Sequence, residues 1–592
     1  MEIARPAIAM ADWHELTATP SEPLADVNLR VAQLLEYNPD LRVRVRLKPG
    51  RYPLTRPLQL ATGLAGRVEH DGPRVEWTAD EPGQSILSGG ALVGEWSSMG
   101  TAHGGFPTVA DRPPLWRAPL PERNDGNLRA TGRQLWCDGA RMTRARHPND
   151  GYLRWASALP APFDAWGLVY EPNQGLEALR GALHGAEAIV FHSWTASRHV
   201  VVAHNATART LIFDRPAHQP LGAHLRQSGR RFFLEGFRGA LDATNEFAQV
   251  GDSLLLAAEQ KPADGACVAG AGVPSLLRAE GAVALRGLVL EHTDWEMPEA
   301  PKPADFQAAA WLPHAAIQLR SARGAELEAL TIRHTGGYGA WLADGVQNTT
   351  FADSTLTDLG AGGVRVGVAE LDAPPANDNA LLRLNMSGGG AVWREGVGVL
   401  VQRGLRNRIE ECEISHLGYT GVSIGWEWGY AKPSGGGGTL VRDNFIHHIG
   451  RWELADMGGV YVLGDNPGTR IERNVIAHVS PYHVYGWGVY LDEGASGVVV
   501  EDNLVHHTCS GGLHLHFGHN NSVERNVFAC AGGADGDLAF SIGEPHAQLG
   551  FLRNVVLRCE PRAAAAAMTS AAVGADGSGY MLPADPAWLV WW

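Results

Sequence analysis

The sequence predicts an all-β chain: a parallel β-helix, interrupted by an inserted antiparallel β-sandwich and capped by a short N-terminal helix. Two observations carry this prediction. Five segments share one pattern: Val441-Arg-Asp-Asn444-Phe-Ile446, Ile471-Glu-Arg-Asn474-Val-Ile476, Val500-Glu-Asp-Asn503-Leu-Val505, Val523-Glu-Arg-Asn526-Val-Phe528 and Phe551-Leu-Arg-Asn554-Val-Val556. The repeats also hold short β-branched runs broken by Gly and Asn, with no 3.6-residue apolar period, which excludes helical solenoids. Units of roughly 20–30 residues with short strands and polar corners are what a β-helix coil needs.

Each element follows from the residues. A single coil cannot bury its apolar face, so the coils must stack, and Asn444, Asn474, Asn503, Asn526 and Asn554 are then expected to form a ladder at one corner. Weaker copies end at Leu290, Ile332, Leu356 and Ile414. Residues 24–37 read as an amphipathic helix able to cap the open end. Strand-like runs follow at 43–47, 58–60, 75–78 and 86–88. From about Ala91 to Pro216 the repeat is lost, and alternating stretches (Arg133–Asp138, Glu187–Trp194, His199–Ala203) predict an antiparallel insertion. The solenoid is expected to resume near Arg231, giving units of 1–90, 91–220 and 221–592.

Composition narrows the function. The formal charge is −15, and Lys48, Lys261, Lys302 and Lys432 are the only lysines. No basic run could neutralise a phosphate backbone, so nucleic acid is not an expected partner. Nothing at the N-terminus reads as a signal peptide or membrane span. Cys137, Cys267, Cys412, Cys509, Cys530 and Cys559 are scattered without metal spacing and are expected to be buried reduced thiols. His447-His448 and His506-His507 occupy equivalent corners, with one His of each pair expected to face the core as a packed residue. No metal and no cofactor is expected.

The chemistry is expected on one face. The glycine-led strands starting at Gly421, Gly459, Gly488 and Gly512 align so that Ser423, Tyr461, Tyr490 and His514 form one outward column. Gly425, Leu463, Asp492 and His516 form a second, and Trp426, Glu427, Trp428, Asp465, Trp487 and Glu493 lie close by. Aromatic faces pack on sugar rings and carboxylates bond hydroxyl groups, so an oligo- or polysaccharide is the expected ligand. Asp492 projects from mid-strand with His516 as its neighbour, while Glu493 should point the other way. Asp456 could fold over the groove from its loop. By register alone Asp465 or Glu427 rivals Asp456 as a second acid. Loops 367–395 and 429–439 are expected to wall the groove.

The strings Tyr419-Thr-Gly-Val-Ser-Ile-Gly-Trp-Glu-Trp-Gly429, Leu454-Ala-Asp-Met-Gly-Gly-Val-Tyr461, Tyr485-Gly-Trp-Gly-Val-Tyr-Leu-Asp-Glu-Gly494 and His514-Leu-His-Phe-Gly518 resemble glycoside hydrolase family 141. More distantly they resemble the β-helical xylosidases of family 120. Thr244-Asn-Glu-Phe247 departs from the family's usual Pro-Gly-Glu-Trp. The resemblance implies a right-handed β-helix interrupted by a β-sandwich. It also implies hydrolysis of glycosidic bonds in plant cell-wall glycans, fucosidase- or xylanase-like, with Asp456 and Asp492 as the carboxyl pair. A polysaccharide lyase or epimerase acting on uronates is the first alternative. Such enzymes use a basic residue beside a cation, and here Arg365 and Arg451 are the nearest candidates. A non-catalytic glycan-binding solenoid is the second.

Overall fold

The computed structural model describes residues 13–62, 72–101, 113–122, 130–179, 183–224, 229–298, 306–532, 537–546 and 548–559. The N-terminal stretch in which no leader is expected lies mostly outside these residues, as does the end of the third predicted unit. The chain winds into a right-handed parallel β-helix of three sheets with 13, 12 and 11 strands. The first sheet runs from His14–Ala18 to Leu549–Leu552, the second from Gly50–Pro53 to Val555–Leu557, and the third from Leu58–Leu60 to Leu538–Phe540.

The period of two sets the core. Val441, Ile471, Val500 and Val523 of the first sheet meet Ile446, Ile476, Val505 and Phe528 of the second, all essentially inaccessible. Burying each such side chain is worth about 1.5–3 kcal/mol, so stacking, not any single coil, holds the fold. The leading glycines of the third sheet answer to the same packing. A Cβ at Gly421, Gly459, Gly488 or Gly512 would lie 2.1–2.5 Å from Ile446, Ile476, Val505 or Phe528, where no side chain fits.

The asparagine ladder is present. Each backbone N–H from Asn444 to Asn526 donates to the side-chain oxygen of the next Asn at 2.9–3.0 Å, and each side-chain amide donates to the same oxygen. The ladder continues upstream through Cys412, whose N–H donates to Asn444. A second, shorter ladder joins Asn379 to Asn407 at another corner, unannounced by the repeat. Leu290, Ile332, Leu356, Met386 and Ile414 share one register of the second sheet. The helix Leu24–Tyr37 buries Leu24, Val27, Val31 and Leu35 in the solenoid core beside the first strand of the third sheet, which makes it the cap.

The insertion is larger than the sequence suggests. It leaves the solenoid after Ser85–Ser88 and returns at Leu277–Glu280, with antiparallel strands from Gly90–Val93 to Cys267–Gly270 between. Arg231–Glu235 and Ser253–Ala257, expected in the resumed solenoid, pair antiparallel within it. Short apolar runs look alike in either setting, which hid the boundary. Four cysteines are oxidised, contrary to expectation: Cys137 pairs with Cys267, its direct neighbour on the adjacent strand, and Cys530 with Cys559. Cys412 and Cys509 remain thiols. No helix among the described residues is long and apolar enough to cross a membrane.

Candidate active site

The outward columns form in the predicted register: Ser423, Tyr461, Tyr490 and His514 are successive partners, and Leu463 pairs with Asp492. They do not lie on an open face, however. Tyr461, Tyr490 and His514 are each 4% exposed, and Tyr461, Leu463, Trp487 and Tyr490 make a small apolar cluster outside the solenoid core. Gln307 lies beside Tyr461, and Ser541 bonds His514. Trp487 also leaves the strand alternation to lie against Tyr490 and His514, with ring centroids at 4.6 and 4.1 Å.

Asp456 and Asp492 come together on this face. Asp456 ends a loop that five hydrogen bonds hold in place. Arg231 donates to the carbonyl of Glu453 at 2.6 Å, and Ala455 N–H to Ser193 of the insertion at 2.8 Å. Tyr482 N–H donates to the carbonyl of Leu454, Met457 N–H to that of Tyr485, and the Tyr419 hydroxyl to that of Asp456. Asp456 adopts a left-handed backbone (φ 61°), which an aspartate tolerates better than most residues. Asp492 projects from the strand Gly486–Ser496 and accepts the Tyr461 hydroxyl at 2.7 Å. The Tyr490 hydroxyl donates to Asp456 at 3.2 Å and lies near enough to Asp492 to favour its anion.

Electrostatics separate the two. Burial, then the charge of Asp492, pushes the Asp456 carboxyl up to about 7, with Tyr490 opposing and Glu493 adding. Burial also raises Asp492, but hydrogen bonds from Tyr461 and Tyr490 and the nearby His516 pull it back. Burial drives the tyrosine hydroxyls at 419, 461 and 490 well above their usual range, helped by the neighbouring acids, so all three remain donors. Glu493 does not leave for the opposite face. The pairing slips between Leu463 and Asp465, Glu493 takes φ 26°, and this bulge keeps its carboxyl near both acids. Burial lowers His514 to about 3, so its imidazole is neutral; it stacks on Tyr490 and bonds Ser541. His516 is half-buried beside it.

The rival acids are placed elsewhere. Glu427 accepts from Arg403 at 3.0 Å in an ion pair. Asp465 is exposed at the end of its strand, past the slip in pairing. Trp426 is buried and Trp428 37% exposed, 5.5 Å apart, and both pack beside Phe306. Phe306, Gln307 and Trp428 join His192, Trp194 and His218 of the insertion around a cleft of about 250 Å³. Gln307 lies beside Tyr461, the donor to Asp492, which sets this cleft next to the carboxyl site. The sequence reading missed these insertion residues and Gln307, since no repeat or motif marks them. Tyr419 was visible, two residues before a leading glycine. Of the two segments read as walls, 367–395 contains the strands Ala380–Leu382 and Asn385–Ser387, whereas 429–439 starts at the groove, where Tyr430 bonds Glu544.

The paired histidines do not face the core. Ile446 and Ile449 fill it, while His447 lies under its neighbours and approaches Glu413 at 3.3 Å. Glu291, His292 and His334 cluster where the insertion meets the solenoid, but Arg51 and Arg333 hold Glu291 at 2.8 and 2.7 Å. Two guanidinium charges against the only carboxylate of that trio leave little attraction for a cation.

The family described as right-handed beta helix region matches residues 390–535. No curated protein matches the sequence. Among solved structures, a protein described as a glycoside hydrolase is similar with a TM-score of 0.66 at 18% identity, covering 92% of this chain and 97% of its own. XylC in complex with xylose has a TM-score of 0.47 at 10% identity, covering 88% and 82%. The A-module of the Azotobacter vinelandii mannuronan C-5 epimerase AlgE6 has 0.35 at 10%, covering 91% and 96%. With the first of these the chain shares its fold, a right-handed parallel β-helix.

Proposed function

We propose that the chain is a glycoside hydrolase in which Asp456 and Asp492 are the carboxyl pair, acting on a neutral glycan of the plant cell-wall type. The observation that carries this is a pair of buried carboxyls whose charges act on one another, Asp456 accepting the Tyr490 hydroxyl and Asp492 that of Tyr461. Two such groups side by side favour a single proton between them. Asp456, pushed to about 7, is the holder of that proton and gives it to the leaving oxygen. Asp492, whose anion Tyr461 and Tyr490 stabilise, attacks the anomeric carbon.

Trp426, Trp428 and Phe306 offer faces for sugar C–H groups, and Glu493, His516 and Gln307 offer partners for hydroxyls. The resemblance to families 141 and 120 supports fucosidase- or xylosidase-like specificity, and the similar structure described as a glycoside hydrolase supports the hydrolase class alone. Uronate lyase chemistry is disfavoured because Arg365, a candidate base, is buried under the carbonyls of Ala310 and Leu312.

Release of nitrophenol from a panel of aryl fucosides and xylosides tests the reading. Asp492→Asn should lose at least ~10³-fold on every substrate. Asp456→Asn should lose as much on poor leaving groups but far less on dinitrophenyl glycosides, which need no proton. Proton NMR should show the retained anomer first. Silence on the panel, with uronate polymers giving unsaturated products, would replace this reading by the lyase one.

A further inference from the structure

We propose that the cleft between the insertion and the solenoid is a subsite for one neutral pyranose, the unit next to the sugar held by the carboxyls. The substrate is then an oligosaccharide in which two adjoining sugars are read together. The subsite rests on the hydrolase reading of Asp456 and Asp492 and narrows its substrate class.

Each wall of the cleft is anchored beside a carboxyl. The first is the hairpin tip 192–195 of the insertion, which carries Trp194. In that tip the Ser193 carbonyl accepts the Ala455 N–H at 2.8 Å, one residue from Asp456. Gln307, on the second wall, lies beside Tyr461, which donates to Asp492 at 2.7 Å. Trp428 belongs to the third, and the N–H of the following Gly429 donates to the carbonyl of Glu493 at 3.0 Å, one residue from Asp492. A ring in the cleft therefore adjoins the sugar on which the acids act.

The second wall is fixed in advance. Ala308 and Ala309 take φ of 56° and 47°, a region that residues with a Cβ seldom enter and keep only where their surroundings enforce it. Here the Tyr338 hydroxyl donates to the Ala308 carbonyl at 2.6 Å, and Arg365 donates to those of Ala310 and Leu312 at 2.7 and 2.6 Å. Both donors are buried residues of the third sheet. Phe306 and Gln307 thus meet the ligand already placed, which lowers the ordering cost of binding.

The lining names the ligand class. Trp194, Phe306 and Trp428 bring aromatic rings from three separate elements, surfaces suited to the C–H side of a pyranose. The Gln307 amide sets a donor and an acceptor side by side, which matches two neighbouring hydroxyls. Among the described residues the lining holds no Asp, Glu, Lys or Arg. A uronate or phosphate entering the cleft would lose water without gaining a counter-charge, so a neutral ring is the better occupant. The volume of about 250 Å³ falls below the ~300 Å³ at which pockets begin to enclose drug-sized ligands, and leaves room for one ring with its hydroxyls.

Saturation-transfer NMR titrations of the full Asp492→Asn chain, in which ligands survive, test this. The probes are xylobiose, cellobiose, a fucosyl-galactose disaccharide and digalacturonate, each against its component monosaccharides. At least one neutral disaccharide should bind ~10-fold or more tightly than either of its sugars, and digalacturonate should show no such gain. Trp194→Ala should cut the gain below ~2-fold, and Trp194→Phe, which keeps a ring, should hold most of it. Gln307→Ala, on a separate element, should cut it at least ~3-fold. Absence of any neutral gain, an equal gain for digalacturonate, or a gain that survives both alanine variants in folded protein overturns the subsite, whether or not nitrophenyl glycosides are hydrolysed. A gain that depends on Trp194 in a chain silent on every nitrophenyl glycoside would uphold the subsite and overturn the hydrolase reading instead.

Discussion

Replacing Tyr461 by Phe takes one oxygen atom from the buried face and leaves its shape intact. That oxygen donates to Asp492 at 2.7 Å. A hydrogen bond to an ionised acceptor is worth ~1.5–3 kcal/mol, and 1.36 kcal/mol corresponds to one pKa unit, so the Asp492 carboxyl should rise by ~1–2 units. The sign follows from the donor: Tyr461 favours the anion, and its loss favours the acid. Because Asp492 must be ionised to attack, the acid limb of kcat/KM should move to higher pH by that amount. The alkaline limb, governed by the proton on Asp456, should move less, and the bell should narrow and drop. Aryl-glycoside hydrolysis measured across pH 4–9 for wild type and variant reads both limbs. An acid limb that stays within ~0.3 units in a folded variant would refute the role given to Tyr461, as would a larger shift of the alkaline limb.

Other outcomes follow from the same structure. Asp456 binds its proton far more tightly folded than unfolded, so wild-type stability declines as pH climbs from about 4 to about 7; Asp456→Asn should be more stable than wild type by roughly 2–4 kcal/mol at pH 8 and no more stable at pH 4, as melting curves will show. Asn474→Ala removes two donated and two accepted hydrogen bonds from the middle of the ladder and should cost ~3–5 kcal/mol, whereas Asn554→Ala, at its half-exposed end, should cost ~1–2; denaturant titrations compare them. Thiol titration of the denatured, unreduced chain should find two reactive cysteines, Cys412 and Cys509, and six would refute both disulfides.

The solenoid was legible because its information is local and repeated. Asn444 and its four successors, the inward Val and Ile positions, and the glycines that meet Ile446 or Val505 recur at coil spacing, so each copy confirms the others. The column of Tyr461, Tyr490 and His514 followed from that register alone. What escaped depends on contacts between distant stretches. Ser193 and Arg231 grip the Asp456 loop from more than 200 residues away in sequence, and no pattern within 190–235 announces that task. The burial of the groove is likewise invisible to strand alternation, which says where a side chain points but not what covers it. Glu427 looked like a spare acid until Arg403 stood beside it. The partnership of Cys137 with Cys267 spans 130 residues of antiparallel chain and leaves no spacing to read.

From Asn444 to Asn554 the coils advance by 30, 29, 23 and 28 residues, yet the rungs between them keep one length. Much of the difference is absorbed by the stretches 450–456, 480–485 and 509–510, between the second and third sheets, and the first of these holds Asp456. Frame and tool are therefore inherited separately. A descendant gene can lengthen, shorten or exchange the segment that meets the glycan while every rung stays where it was, and a protein engineer can use the same seams to graft new specificities.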